Sequence, residues 1–233
     1  MSRTTFVLLP GAGGDPWYWH RVVPQLAQPG HEVLPVALPA SDPSAGLPDY
    51  ARTVVEAAAG RDPRSIVLVA QSLAGFVAPL VCQQMPIRLL VFLNAMIPGP
   101  NESPGEWFAN TDQADAKRAL DAREGRAVDA PFDPLREFFH DVPQAVIDAA
   151  WARGEPRQSD SVFSSPCAFD RWPATPVRVL VSRDDRFFPA EFQRRIARQR
   201  LGVEADELPG GHLVALSRPD ELSARLRSYA AGA

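Results

Sequence analysis

A chain of 233 residues, 45% hydrophobic and 22% charged, can bury a sizeable core in one globular domain with room for an inserted subdomain, which excludes a disordered protein. A formal net charge of −4 with no run of Lys or Arg leaves no electrostatic footprint for nucleic acid or an anionic membrane, so neither partner is expected. The apolar run in "MSRTTFVLLPG" is far too short for a secretory leader, and no stretch reaches the ~20 apolar residues of a membrane helix, so a soluble, cytoplasmic protein is expected.

The first β-rich run, Thr5–Leu9, leads through a glycine-rich loop into a helical pattern over Trp17–Ala27. Glu32–Leu38 then reads as a strand, Pro48–Ala59 as a helix, Ser65–Ala70 as a strand, Leu73–Gln84 as a helix and Arg88–Asn94 as a strand. From Pro98 to Pro176 no β-rich run appears in a Pro-, Asp- and aromatic-rich stretch, too long for a loop, which predicts a helical insertion over the C-terminal edge of a sheet. The alternation resumes with strand Val177–Ser182, helix Ala190–Gln199, strand Ala205–Leu208 and helix Pro219–Ala230. This order predicts an α/β fold, a mostly parallel central sheet flanked by helices, with a core of residues 1–97 and 177–233 and a helical lid of residues 98–176. Cys82 and Cys167 lack metal-ligand spacing and read as reduced structural thiols, so no zinc is expected.

The loop in "FVLLPGAGGDPWYWH" raises the question of a dinucleotide site. G-x-G-x-x-G fails here, because Gly11 and Gly13 are followed at the third position by Pro16, and the second strand runs out in Leu38, Pro39 and Ala40 with no acid to hold a ribose. The stretch "SIVLVAQSLAGFVAPLV" carries more chemistry. A β-rich run, Ser72 and a helical pattern, with Ala70 and Ala74 two places either side of the serine, is the layout of a nucleophile elbow; a serine serving only as a helix N-cap is the plain alternative. The consensus is G-x-S-x-G, and here it is A-x-S-x-A with Gly75 one place further on.

A serine needs a base. Of the four histidines, His212 alone lies in a glycine-rich loop, "LPGGHLVALSRPDEL", between the last strand and the last helix. Upstream, "VRVLVSRDDRFFP" puts Asp184 and Asp185 just past a strand end, so the chain order is serine, aspartate, histidine. A solvated charge pair and a turn histidine are the plain readings of the same residues.

With these motifs the sequence resembles the α/β-hydrolase superfamily over essentially its whole length, and within it the group of plant methyl-ester hydrolases, such as methyl salicylate esterases, and hydroxynitrile lyases. The resemblance implies an α/β-hydrolase fold and a carboxylesterase-type enzyme with Ser72 as nucleophile, His212 as base and Asp185, four residues before Pro189, as orienting acid in preference to Asp184. It maps the two oxyanion N–H donors onto Ala12 and Leu73, so the opening loop would answer an oxyanion and not a phosphate. No metal or organic cofactor is required, and the expected partner is a small-molecule ester of small to medium size and hydrophobic character, hydrolysed through an acyl-enzyme. The insertion offers Trp107, Phe108, Phe138, Phe139 and Trp151 as pocket lining, with core packing the stronger expectation for most of them. Pro10, Gln71, Ala70 and Ala74 depart from the family pattern without removing a catalytic atom. Cyanohydrin-cleaving relatives carry a lysine directly after the catalytic histidine, whereas this chain has Leu213. A hydroxynitrile lyase-like enzyme and a non-catalytic ligand receptor on the same fold are the two rival readings, and a homodimer is left open.

Overall fold

Alternate side chains of a strand point to opposite faces, and in this chain both faces are apolar, the mark of a sheet covered on both sides. The computed structural model describes residues 3–232. Strands β1 (Thr4–Leu9), β2 (His31–Pro35), β3 (Ile66–Gln71), β4 (Leu89–Leu93), β5 (Val177–Ser182) and β6 (Ala205–Leu208) pair in parallel in the order β2-β1-β3-β4-β5-β6. The α-helices are α1 (Val23–Leu26), α2 (Leu47–Ala58), α3 (Ala78–Gln84), α4 (Pro104–Asn110), α5 (Gln113–Arg123), α6 (Pro134–Glu137), α7 (Gln144–Ala152), α8 (Ala190–Leu201), α9 (Val214–Ser217) and α10 (Pro219–Gly232).

Val7, Leu9, Leu68, Ala70, Leu90 and Phe92 pack on one side of the sheet with α2, α3 and α8. Phe6, Leu8, Val67, Val69, Leu89 and Val91 pack on the other, against α1, α9 and α10. The chain leaves β1 outward to β2 and then crosses to β3 on its other side. The reversal of strand order therefore falls between β1 and β3, where ligands bind in open parallel sheets, at the carboxyl ends of the strands. Leu9 stands in register with Ala70, which brings the glycine loop after β1 beside the turn after β3.

Two expected helices are each divided at a proline, and the second strand is shorter than its sequence pattern. Trp17–Ala27 divides into a 3-10 turn at Pro16–Trp19 and α1, since Pro24 has no N–H to donate to the preceding turn. Leu73–Gln84 divides likewise into a 3-10 turn at Ser72–Phe76 and α3, with Pro79 at the start of α3. The second strand ends at Pro35, although the Val36 N–H still reaches Leu8 O at 3.0 Å.

Between β4 and β5 the described residues form α4 to α7 and a 3-10 turn at Asp160–Ser164, with no strand. The root of this segment is tied to the core. Trp107 is fully buried against Phe188 and Phe192 and donates its indole N–H to Ile97 O at 3.0 Å. Arg200 of α8 pairs with both oxygens of the buried Glu102 carboxylate. Burial works against the charge on Glu102, but Arg200, Asn110 and the Gly99 N–H outweigh it and hold its carboxyl below the usual range.

Both cysteines are free; burial pushes the Cys82 thiol up to about 11 and raises Cys167 as well. Iodoacetamide at about pH 8 is therefore expected to label neither thiol in the folded protein and both after denaturation, as read by intact mass. Rapid labelling of the folded protein would show that these thiols are not held as described. A Cβ on Gly75 would stand 2.0 Å from Met96 O, a buried backbone atom of the segment that follows β4. Gly75→Ala is expected to lower the unfolding free energy in urea by about 3 kcal/mol.

Candidate active site

The turn after β3 is forced by crowding. Ser72 takes φ 52°, in the left-handed region that costs an L-residue about 1–2 kcal/mol, and its carbonyl accepts from the Met96 N–H at 3.0 Å. Ala70 and Ala74 are completely enclosed, and a Cβ on Gly11 would lie 2.5 Å from Gln71 Oε1 and 2.8 Å from Ser72 Cβ. The tightest approach on the helical side thus falls on Gly75 and not on residue 74, which is why alanine fits where the elbow consensus has glycine. The side chains on either side of Ser72 are buried, while Ser72 itself is half-buried and reachable.

His212 follows β6 on a loop that turns at Gly210, where φ is 113°. Its Nε2 lies 3.1 Å from Ser72 Oγ and its Nδ1 2.8 Å from Asp185 Oδ2. With Nδ1–H donating to the carboxylate, Nε2 is left to accept from the serine hydroxyl. The Gln71 amide nitrogen also lies 3.4 Å from Nε2. Asp185 is 1% exposed, and its carboxylate is fully occupied. Oδ1 accepts from the Phe187 and Phe188 N–H groups at 2.9 and 2.8 Å, and Oδ2 accepts from Gln193 Nε2 at 3.3 Å besides the imidazole.

Asp184 does something else. It faces outward, pairs with Arg183 and exchanges two hydrogen bonds with Gly210, its N–H donating to Gly210 O at 2.9 Å and its Oδ2 accepting the Gly210 N–H at 3.1 Å. Partial burial opposes its charge, yet Arg183 and the Gly210 N–H hold its carboxyl below the usual range. The geometry therefore separates the two aspartates: one touches the imidazole, the other buckles the loop that carries it.

Two further residues fix that loop. Asn94, fully buried at the end of β4, donates from Nδ2 to Ser182 Oγ at 2.8 Å, His212 O at 3.1 Å and Gly211 O at 3.3 Å, and its Oδ1 accepts the Ser182 N–H at 2.7 Å. Asp141, from the segment between β4 and β5, accepts the Gly211 N–H at 2.7 Å. Neither was singled out in the sequence; an asparagine closing an all-apolar strand is the one signal that could have found Asn94. On the other flank, Ala12 lies exposed in the first loop and Leu73 is buried, and among the described residues neither backbone N–H has a hydrogen-bond partner. The first loop is braced by Gln158 Oε1, which accepts the Gly13 N–H at 3.0 Å, and by Arg153, paired with Asp15 at 2.7 Å.

Residues 6–225 match the family model described as the alpha/beta hydrolase family. The chain belongs to the alpha/beta hydrolase family. Among relatives, it is 31% identical to norfluorocurarine synthase 1 of Strychnos nux-vomica over 97% of this chain and 94% of that one. It is 24% identical to polyneuridine aldehyde esterase of Rauvolfia serpentina over 93% of this chain and 92% of that one. A crystal structure of polyneuridine aldehyde esterase superposes with a TM-score of 0.75 at 21% identity, covering 98% and 99% of the two chains. A pyrethroid hydrolase from Sphingobium faniae JZ-2 gives 0.75 at 20% identity over 99% and 98%. At these identities the solved structures attest the fold.

Within this hydrolase the aromatic candidates scatter. Phe138 stacks on the His212 ring, centroids 5.0 Å apart and planes 25° from parallel. Phe108 is half-buried and reaches the site only through Phe187, 6.4 Å away. Trp107 is a core residue, shielded from His212 by Phe188, so the expectation that it lines a pocket is corrected. Phe139 packs on the opposite face of the sheet with Trp151 edge-on to it, and Trp151 is half exposed to solvent, so these two form a pair away from the serine. Phe187 and Phe188, edge-on to the imidazole at 5.6 and 5.2 Å, were not singled out, though only Arg186 separates them from the aspartate pair. A cavity of about 630 Å³ lined by Arg3, Glu32, Arg61 and Arg64 lies at the other end of the sheet; its Arg61 and Arg64 are already paired with Glu32 and Asp62. No helix among the described residues is long and apolar enough to cross a membrane.

Asn94→Ala is expected to remove four hydrogen bonds from a buried site and to cost about 2–3 kcal/mol in urea unfolding, with faster amide exchange at Gly211 and His212. Unchanged exchange at those two amides would show that other contacts hold the loop.

Proposed function

We propose that this alpha/beta hydrolase, an enzyme of the carboxylesterase type, hydrolyses small to medium hydrophobic carboxylic esters through a Ser72–His212–Asp185 triad and an acyl-enzyme. The observation that carries the reading is the unbroken chain of hydrogen bonds from Asp185 through His212 to a half-buried serine at the sheet's switch point. The esterase name borne by polyneuridine aldehyde esterase supports the same chemistry.

His212 Nε2 takes the Ser72 proton as Oγ attacks the ester carbonyl, and the buried Asp185 carboxylate steadies the imidazolium that forms. The carbonyl oxygen becomes an oxyanion between the Ala12 and Leu73 N–H groups, each such donor contributing about 3 kcal/mol to the transition state. As the tetrahedral species collapses, the carbon–alkoxy bond breaks and His212 returns the proton to the departing alcohol. A water then attacks the acyl-serine by the same route, releasing the acid and restoring Ser72. Leu213, uncharged, follows His212, so ester hydrolysis is favoured over cyanohydrin cleavage, in which a departing cyanide gains from an adjacent ammonium.

A fluorophosphonate probe is expected to label the protein once, and Ser72→Ala to abolish the labelling; undiminished labelling of that variant would remove Ser72 as nucleophile. Against p-nitrophenyl butyrate, Asp185→Asn should lower kcat by about 10³–10⁴-fold through loss of the imidazole's tautomer, and Asp184→Asn by less than about tenfold. The reverse ranking would move the acid to Asp184.

A further inference from the structure

The large apolar side chains exposed among the described residues are Val128, Phe132, Leu135 and Trp151, and the first three fall within eight positions of the chain. They are not an isolated patch. Phe132 is 56% exposed and packs edge-on against Phe138 at 5.3 Å and Phe187 at 6.0 Å; Phe138 and Phe187 are in turn the two half-buried rings against His212. A continuous aromatic track thus runs from solvent to the imidazole in two steps. The short α6 that presents it is pinned from behind: buried Glu137 pairs with Lys117 and Arg136, and Arg186 donates to Arg136 O at 3.1 Å. Leu135 is therefore displayed on the outer side of an anchored turn, and holding Phe132 and Leu135 against water is unfavourable unless something covers them.

Position relative to the chemistry says which part of a substrate the track meets. Of the two proposed oxyanion donors, Ala12 stands in the first loop and Leu73 in the turn after β3, whereas the leaving oxygen must come within hydrogen-bond reach of His212 Nε2 to collect its proton. The group attached to that oxygen then extends across the rings packed around the imidazole. We infer that Phe132, Phe138 and Phe187 form an alcohol-side subsite, with Leu135 at its outer lip, and that the substrates are esters of aryl or arylmethyl alcohols. Flat rings suit this track because edge-to-face and offset-stacked contacts favour an aromatic guest beyond its area alone. The inference rests on the ester-hydrolase reading and names the substrate class of that same site.

The test compares kcat/KM for benzyl butyrate, ethyl butyrate and ethyl phenylacetate, with the Ser72→Ala protein as blank. The native enzyme is expected to prefer benzyl over ethyl butyrate by about tenfold or more, and Phe132→Ala and Phe138→Leu to reduce that ratio by about fivefold or more. The ratio of ethyl phenylacetate to ethyl butyrate, which varies only the acyl part, should move less than twofold. A fall in the acyl ratio instead, or no change in either, overturns the assignment. So does a change of oligomeric state in Phe132→Ala with both ratios intact, which would make the patch a self-association surface. Phe132 is surface-exposed, so its variant is expected to fold, with circular dichroism as the check. If no ester shows serine-dependent turnover, the hydrolase reading fails by itself, and saturation-transfer NMR of benzyl alcohol on the Ser72→Ala protein tests the subsite separately. Binding that Phe132→Ala weakens supports it, and absent or unaltered binding overturns it.

Discussion

The candidate site depends first on the crowding that holds Ser72 at φ 52°. Nothing intrinsic to serine favours that backbone; it persists because its neighbours leave the turn no other path. Gly11 lies against the serine's own Cβ, Gly75 against the Met96 carbonyl, and the Met96 N–H is spent on Ser72 O. The demand is for space, and it falls where backbones approach most closely. Alanine is accommodated two places either side of the serine, and the shortest approach on the helical side falls on Gly75. The raised, half-exposed hydroxyl follows from steric exclusion between β1, β3 and β4, the three most enclosed strands.

Electrostatic roles are then distributed by direction of burial. Asp184 and Asp185 are adjacent and chemically identical, but one points into the core, where four donors meet it, and the other points to the rim, where it shares Arg183 and Gly210. A buried carboxylate left short of donors would be costly and would draw the imidazole out of line; one with every lone pair engaged can serve as a fixed anchor. Asn94 extends the same logic one layer deeper, joining the ends of β4 and β5 to the consecutive carbonyls of Gly211 and His212.

Period and order made much of this legible before any coordinates. All six strands were expected near their observed places, the buried β1, β3 and β4 because such parallel strands are predominantly apolar runs, and the order serine, aspartate, histidine pointed to the residues now found within hydrogen-bond distance. What remained hidden has identifiable reasons. Pro24 and Pro79 sit inside good helical patterns and divide them, since periodicity does not register a missing N–H. Trp107 and Phe138 looked alike as aromatics of the inserted segment, yet one fills the core and the other covers the imidazole, a difference of tertiary placement that no local spacing encodes. Asp141, Gln158 and Arg153 act on loops more than fifty residues away, and a single sequence holds no trace of such pairings.

Those last three contacts have a consequence for how the inserted segment relates to the rest. Residues 141–158 grip the glycine loop after β1 through Gln158 and Arg153, and the loop before the histidine through Asp141. The segment is bound into the walls of the site: Asp141 adds to the hold that Asn94 and Asp184 already have on the histidine loop, and Gln158 and Arg153 brace the glycine loop. Exchange of this segment between related hydrolases is constrained accordingly: it must travel with partners equivalent to Asp15, Gly13 and Gly211, or it will close over loops it cannot hold.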